Sequence, residues 1–381
     1  MRSYDFAVIG GGIAGASVAY ELQARGSAIL LERERLPGQH TTGRSAAFLV
    51  ESYGNRTVQR LTRCSRSFFE EPPSDFAPHP VVEPRPILWI ARSDQRLRLA
   101  EQTKLAVETG AELYEVDADE ARAMCPVVRE DYVVSGVVEP NARSIDVAGL
   151  LDGYLRGFRS RGGEIVARAE VTGLERVGKA WEIACGSDRY QAGVVVNAAG
   201  AWADRVGEIA RARPIGLQPL RRTVITFDPP PGSDIRRWPC LIDADEDFYL
   251  KPEGAQLLAS PCDEVPSPPC DATPDDLGVA LAADRIERAT TVKIGRIRGH
   301  WAGLRSFVPD RSPVIGMDPE RAGFFWLAGQ GGFGIMTSSG AARAAAGLIV
   351  DAALPSDLEA SGLRPEHLAP RPIGADTRRS R

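Results

Sequence analysis

The sequence predicts an α/β fold built as two intertwined lobes, and three observations carry that expectation. Tyr4 to Glu32 reads as strand, glycine turn, helix and strand; strand-like stretches follow one another without helices from Leu217 to Ser260; and an apolar strand with a second glycine turn returns at Phe324 to Gly334. With 381 residues and 43% hydrophobic content, the chain can bury a sizeable core. Its 46 basic and 51 acidic residues leave a net charge of −5, and no basic run is interleaved with aromatic residues. That balance argues against nucleic acid as a partner.

The opening unit is the most specific. Tyr4-Asp5-Phe6-Ala7-Val8-Ile9 has the β-branched and aromatic content of a buried strand, and Gly10-Gly11-Gly12-Ile13-Ala14-Gly15 follows without a spacer. Gly10 permits the tight turn, Gly12 lets a pyrophosphate approach the backbone, and Gly15 lets the helix pack close to the strand. Ala16 to Gln23 carries the helical pattern, Gly26 ends it, and Ala28-Ile29-Leu30-Leu31 is a second strand closing on Glu32. Glu32 lies 22 positions after Gly10, where a carboxylate accepts hydrogen bonds from ribose hydroxyls and repels a 2′-phosphate. The unit is therefore a Rossmann-type site for FAD or NAD rather than NADP.

Further along, Thr41 to Ala47 is dense in small and hydroxyl residues, which suits backbone lying against a planar or phosphorylated ligand, with Arg44 and Ser45 as anion donors. Phe48 to Gly54 reads as a mobile flap carrying Tyr53, and Gln59 to Phe69 as a helix. Prolines from Pro72 to Pro86 mark a crossing into the second lobe. There a strand is expected at Ile87 to Ala91, helices at Gln95 to Thr109 and Asp117 to Met124, and a strand at Gly136 to Pro140. Asp146 to Arg159 is an amphipathic helix back in the first lobe, followed by a strand at Glu164 to Ala169 and a hairpin of Val171 to Arg176 with Trp181 to Cys185. Val194 to Trp202 reads as a buried parallel strand.

Leu217 to Phe227, Phe248 to Pro252 and Gln256 to Ser260 are expected strands, Val265 to Asp276 a surface loop and Leu277 to Ala289 a helix. Gly299 to Ser306 leads back to the first lobe, and Ile335 to Ile349 is an alanine-rich helix. The turn Gly329 to Gly334 formally repeats the nucleotide pattern, but no strand ending in an acid follows, so a second dinucleotide site is not expected. The helix after Gly334 would favour negative charge on whatever it faces.

Thr42-Gly43-Arg44-Ser45-Ala46-Ala47, Pro84-Arg85-Pro86, Asn197-Ala198-Ala199-Gly200-Ala201-Trp202, Gly216-Leu217-Gln218-Pro219, Phe248-Tyr249-Leu250-Lys251-Pro252, Trp301-Ala302-Gly303-Leu304-Arg305-Ser306-Phe307 and Gln330-Gly331-Gly332 together resemble the FAD-dependent D-amino-acid oxidase superfamily. Within it they look closest to the bacterial D-arginine dehydrogenases. The resemblance implies a Rossmann-type FAD-binding lobe from 1–75, 143–218 and 300–364 and an interleaved antiparallel-sheet substrate lobe from 76–142 and 219–299; the tail at 365–381, with its Pro and Arg and few apolar residues, is expected to be disordered. It implies that Tyr53, Arg222, Tyr249 and Arg305 hold the substrate carboxylate and shape the pocket, joined by Phe48, Val50, Ile87, Cys240, Ile242, Gly303 and Gly332. The implied cofactor set is Gly10, Gly12, Ile13, Ala14, Gly15, Glu32, Arg33, Thr42, Gly43, Arg44, Ser45, Ala46, Ala47, Val171, Ala198, Ala199, Gly200, Trp202, Gly303, Arg305, Gly331, Gly332, Phe333, Gly334 and Ile335.

The bottom-up chemistry agrees, because a guanidinium fork fits a carboxylate through two parallel hydrogen bonds. Where D-arginine dehydrogenase has a glutamate that receives the guanidinium, this chain has Ile87, and where the relative has a histidine it has Phe48. An unpaired guanidinium against apolar walls costs on the order of several kcal/mol, so arginine is expected to be a poor substrate and a neutral, hydrophobic D-amino acid a good one. Asp243, Asp245 and Asp247 are the carboxylates that could restore a cationic side chain. The expected reaction is hydride transfer from Cα to flavin N5, giving an imino acid that water converts to a 2-oxo acid. The rivals are an oxidase of secondary amines, such as sarcosine or an imino acid, and a non-catalytic FAD-bearing binding partner. The partner implied is a small-molecule amino acid; no electron acceptor or oligomeric state is assigned.

Cys64, Cys125, Cys185, Cys240, Cys262 and Cys270 include no C-x-x-C pair, so reduced thiols are expected. Cys270 is the last cysteine, leaving no counterpart to the flavin-linking cysteine of covalent sarcosine oxidases, and the FAD is expected to be non-covalent, with His40 as a remote attachment residue. His40, His79, His300 and His367 are not at metal-ligand spacing, so no metal is expected. No apolar run reaches the roughly 18 residues that span a bilayer, and the N-terminus enters its strand directly, so a cytoplasmic location is expected.

Overall fold

The computed structural model describes residues 1–371. The opening unit forms as expected: strand β1 is Arg2–Ile9, helix α1 Ile13–Gln23 and strand β2 Ala28–Glu32. Two sheets organise the described residues. In the first, eight-stranded sheet, Glu164–Ala167, β2, β1, Asp188–Asn197 and Phe324–Ala328 run parallel, in that order. The hairpin of Gly173–Val177 and Ala180–Cys185 extends it on the near half of Asp188–Asn197, and Val314–Met317 lies antiparallel to Phe324–Ala328. Because β1 and β2 are covered on both faces, their apolar residues run continuously rather than alternating.

The face beneath β1 is closed by α1 packed on Val147–Ser160 and Ser338–Val350. Small residues permit this approach: Ala341, Ala342, Ala344, Ala345 and Ala346 are all buried. Around them Tyr20, Phe68, Phe76 and Tyr154 form edge-on and stacked pairs with centroids 4.9 to 6.5 Å apart, each worth about 0.5–1.5 kcal/mol beyond area burial.

The second, nine-stranded sheet supplies the roof of the site. Its order runs from Val265–Pro266 through Gln218–Phe227, Gln256–Ser260, Tyr249–Glu253, Cys240–Asp243, Ile87–Ala91 and Ser135–Glu139 to Tyr114–Asp117. Ile297–Phe307 pairs along the whole length of Gln218–Phe227, placing Arg222 opposite Gly303 and Leu220 opposite Arg305. The sheet is antiparallel except for one parallel pair, Cys240–Asp243 with Ile87–Ala91.

Several expectations are corrected. The parallel strand ends at Asn197, which still pairs with Ile9 and Trp326, and Gly200–Trp202 is a 3-10 turn: Gly200 takes φ +54°, and the Asn197 side-chain amide donates to the Ala203 carbonyl at 2.8 Å. The alanine-rich helix begins at Ser338 rather than Ile335. Gly329 and Gly331 hold left-handed φ of +70° and +53°, and the chain needs four further residues of turn before it can enter a helix. Val265–Pro266 is a short strand inside the expected surface loop. Pro365–Leu368 is a helical turn with Leu368 buried, within the expected tail; the rest of that tail, 372–381, lies outside the described residues.

Candidate active site

A long cleft crosses the C-terminal ends of β1 and β2. Its walls include Gly10, Gly12, Ile13, Ala14, Glu32, Arg33, Thr42, Ser45, Val171, Ala198, Ala199, Gly200, Trp202, Arg305, Gly331, Gly332, Gly334 and Ile335, all from the expected cofactor set, together with Ile9. Gly10 has φ +104°, and a Cβ there would stand 2.5 Å from the Ala198 carbonyl oxygen. Gly12 at the N-cap of α1 has no side chain to cap the helix; the Thr42 hydroxyl accepts the Ile13 amide at 3.0 Å, which leaves the other first-turn amides for an anion. Glu32 is held by the amides of Gly11 at 2.6 Å and Glu34 at 2.8 Å, so its carboxylate is fixed at the edge of the cleft.

Other expected cofactor residues act behind the wall. A Cβ at Gly15 would lie 1.8 Å from the Gly10 carbonyl oxygen, and one at Gly43 2.6 Å from that of Gly38, so both are packing glycines. Phe333 packs edge-on to Tyr53 with centroids 5.1 Å apart. Gly303 lies under Arg305, where an added Cβ would be 3.6 Å from the guanidinium. Arg44 is not available as an anion donor: its guanidinium is engaged by the carbonyls of Ala272 and Ala302 and by Asp271. Ser45 likewise gives its hydroxyl to the Thr41 carbonyl at 2.8 Å. Gly334 and Ile335 line the cleft from the turn that precedes the helix, which itself starts at Ser338.

A second, smaller cavity opens from the first and shares Ser45, Arg305, Gly332 and Ile335 with it. Phe48, Val50, Tyr53, Arg222, Cys240, Ile242 and Tyr249 line it as expected, and Ala46 and Ala47, expected at the cofactor, line this cavity and not the cleft. Ile87 is fully buried in the apolar cluster behind Val50 and Ile242 rather than on the surface of the cavity. Sequence reasoning missed Glu246, Cys262 and Met336, which also line it. Glu246 adopts φ +58° in the turn after Cys240–Asp243, which aims its carboxylate inward to accept the Tyr53 hydroxyl at 2.8 Å. Three acids flank it in sequence, which was the available signal. Those three face elsewhere: Asp243 accepts Gln95 and Tyr132 at 2.8 and 2.9 Å, Asp245 accepts Gln95 at 2.8 Å, and Asp247 pairs with Arg285 at 3.3 Å.

The two guanidiniums differ. Arg222 reaches Glu264 at 3.0 Å and the Asp263 carbonyl at 3.3 Å, so its charge is largely met. Arg305 is buried, and its Nη1 has no partner. Burial, and after it the charge of Arg222, lowers its pKa from the usual guanidinium value. Burial holds the Tyr53 phenol well above its usual pKa, with the Glu246 charge adding to it, and burial does the same to Tyr249, so both remain neutral hydroxyls. The Cys262 thiol is pushed up to about 12 by burial.

A helix start whose N-cap is a glycine, a close-approach glycine turn, a fixed carboxylate and a partnerless Gln330 Nε2 on the cleft wall fit a dinucleotide cofactor. The family described as FAD dependent oxidoreductase matches residues 5–348, and the chain belongs to it. It is thus an FAD-dependent oxidoreductase. Among known proteins, it is 26% identical to mitochondrial sarcosine dehydrogenase of Homo sapiens over 94% of this chain and 41% of that protein. The chain therefore spans less than half of that relative's length. It is 25% identical to the hydrogen cyanide synthase subunit HcnC of Pseudomonas aeruginosa, over 89% of this chain and 90% of that protein. Among solved structures, L-proline dehydrogenase from P. horikoshii superposes with a TM-score of 0.83 at 19% identity, covering 92% of this chain and 94% of that one. At that identity the likeness concerns the fold.

Proposed function

We propose that the chain oxidises the Cα–N bond of a small α-amino acid with a neutral, hydrophobic side chain. The observation that carries this reading is the buried, partnerless Nη1 of Arg305, on the wall shared by the cleft and the smaller cavity. A buried unpaired guanidinium is costly unless a ligand completes it, and a carboxylate is the planar acceptor it fits. Arg222 supplies a second cation, and the neutral hydroxyls of Tyr53 and Tyr249 complete the shell. Phe48, Val50, Ile242 and Met336 leave an apolar surface for the side chain.

Held by its carboxylate at Arg305, the substrate presents its Cα–H toward the cleft. FAD held in that cleft would supply the hydride acceptor. The amine enters neutral, so no residue has to act as a strong base, and water then releases the 2-oxo acid and ammonia. The residues of 1–75, 143–218 and 300–364 would hold the flavin, and those of 76–142 and 219–299 the substrate. The resemblance to the D-amino-acid oxidase superfamily supports the D configuration.

Glu246 favours a second reading, in which a secondary or N-methylated amine is the substrate, since a carboxylate on the cavity wall can accept a cationic amine. The likeness to sarcosine dehydrogenase supports it. An anaerobic screen of flavin absorbance against D- and L-amino acids and N-methyl amines separates the readings. Bleaching by hydrophobic D-amino acids supports the first and bleaching by sarcosine alone the second. A flavin that no amine reduces refutes both.

A further inference from the structure

The strand Ser135–Glu139 ends in a carboxylate that is 1% exposed. A buried carboxylate ordinarily meets a cation. Glu139 is satisfied instead by one turn of chain: it accepts the amides of Glu51 at 2.7 Å and Ser52 at 3.1 Å, and the Ser52 hydroxyl. The same hydroxyl accepts the Trp89 indole N–H at 3.2 Å, and Gln59 donates to the Ser52 carbonyl at 3.2 Å. The Glu51 side chain is taken by Arg66, which also donates to the Asn141 carbonyl at 3.0 Å. The two residues that bracket this turn, Val50 and Tyr53, both line the smaller cavity.

The ladder explains why one carboxylate can do this. Glu139 stands directly opposite Ile87, so both project from the same face of the sheet. Ile87 packs in one apolar cluster with Val50. Glu139, beside it, receives the turn that follows. Three donors converging on one side chain require a group that only accepts, which an ionised carboxylate is and an amide is not.

We propose that Glu139 is a positioning residue: by clamping the Glu51–Ser52 turn it sets Tyr53 and Val50 as one wall of the substrate cavity. The clamp stands on the geometry alone, and its consequence for substrate rests on the reading above.

The test uses the flavin-loaded full chain with Glu139→Gln and Ser52→Ala. Amide hydrogen exchange is read at Glu51 and Ser52, and the dissociation constant of 4-methyl-2-oxopentanoate is read from the absorbance of the oxidised flavin. Losing one charge-assisted hydrogen bond corresponds to about a tenfold change. Glu139→Gln is expected to speed exchange at the two amides about tenfold and to raise the dissociation constant about tenfold, with β1 protection and flavin content unchanged. For the amine that bleaches the flavin, KM should rise while kcat stays within about twofold. Ser52→Ala, which keeps both amide donors, should give about a threefold change and decides the matter by the same readouts if Glu139→Gln does not fold. Unchanged exchange, or faster exchange with an unchanged dissociation constant, overturns the proposal. A wild-type flavin that ignores the oxo acid and every amine counts against the substrate reading alone, and the exchange comparison still accepts or rejects the clamp.

Discussion

Replacing Arg305 by Met should weaken substrate binding and strengthen the fold at the same time. The side chain is 8% exposed, its Nη1 has no partner, and Arg222 is a neighbouring like charge. Leaving a buried donor unsatisfied costs about 1–3 kcal/mol, so removing it should raise the unfolding free energy of the substrate-free protein by about that amount. Met fills most of the volume without a charge. The opposite sign applies to substrate. A carboxylate bound through two charge-assisted hydrogen bonds gains about 1.5–3 kcal/mol from each, so the loss of even one pair member lies near 3 kcal/mol, or about 150-fold in KM. Urea unfolding followed by tryptophan fluorescence at saturating FAD gives the first quantity, and steady-state kinetics with the amine found in the screen gives the second. A variant that loses more than about 1 kcal/mol of stability would show that Arg305 is held by the protein rather than waiting for a ligand. A KM within about threefold of wild type would remove Arg305 from the carboxylate site.

Gly15→Val should purify without a yellow chromophore, because its Cβ would stand 1.8 Å from the Gly10 carbonyl oxygen and displace α1 from β1; full flavin content would contradict that packing role. Tyr53→Phe removes the hydroxyl that Glu246 accepts at 2.8 Å and should cost about 1–3 kcal/mol in urea unfolding. Burial, partly opposed by the Ser52 hydroxyl and the Glu51 and Ser52 amides, raises the Glu139 pKa above the usual carboxylate value, and Glu51, Glu70, Glu112, Arg63 and Arg66 share the depression beside it. A carboxyl that protonates more readily folded than unfolded adds stability below the unfolded value of about 4.3 and loses it as pH rises through the folded value. The unfolding free energy of wild type minus that of Glu139→Gln should therefore fall as pH rises above about 4, and a difference that rises with pH would reverse the assignment.

What was legible in the sequence was backbone that has no choice. Gly10 and Gly15 leave space that no other residue could leave, and the period of the flanking apolar residues admits one arrangement, so the βαβ unit and its acid could be read directly. Arg305 was legible for a related reason: a guanidinium among glycines and apolar residues needs a purpose. Charges whose partners arrive from far along the chain were not legible. Arg44 looked like an anion donor until the fold brought Asp271 and the Ala302 carbonyl to it, more than two hundred positions away. Glu246 was hidden by its neighbours. Four acids in five positions look alike in sequence, and only the turn geometry, with φ +58° at Glu246, turns that one into the cavity and leaves Asp243 buried against Gln95 and Tyr132.

The charges on the cavity wall constrain the substrate more tightly than its shape does. Arg222, Arg305 and Glu246 line it, and of the two cations Arg222 is already met by Glu264 while Arg305 Nη1 has no partner. An amino acid bound with its amine neutral brings one negative charge, which Arg305 takes. An arginine would bring its own guanidinium as well, and the wall would need a second free carboxylate. Ile87 occupies the place where the resemblance puts one, and it lies buried behind Val50. Glu139, its cross-strand neighbour, is already filled by three donors from the Glu51–Ser52 turn. Glu246 has already accepted the Tyr53 hydroxyl, and a cation there would share the carboxylate with it. At Glu139 a cationic side chain would have to displace one of the three donors, at about 1–3 kcal/mol for each group left unsatisfied. The proposed preference for a neutral side chain thus rests on where Glu139 already spends its acceptor capacity, and not only on the replacement at Ile87.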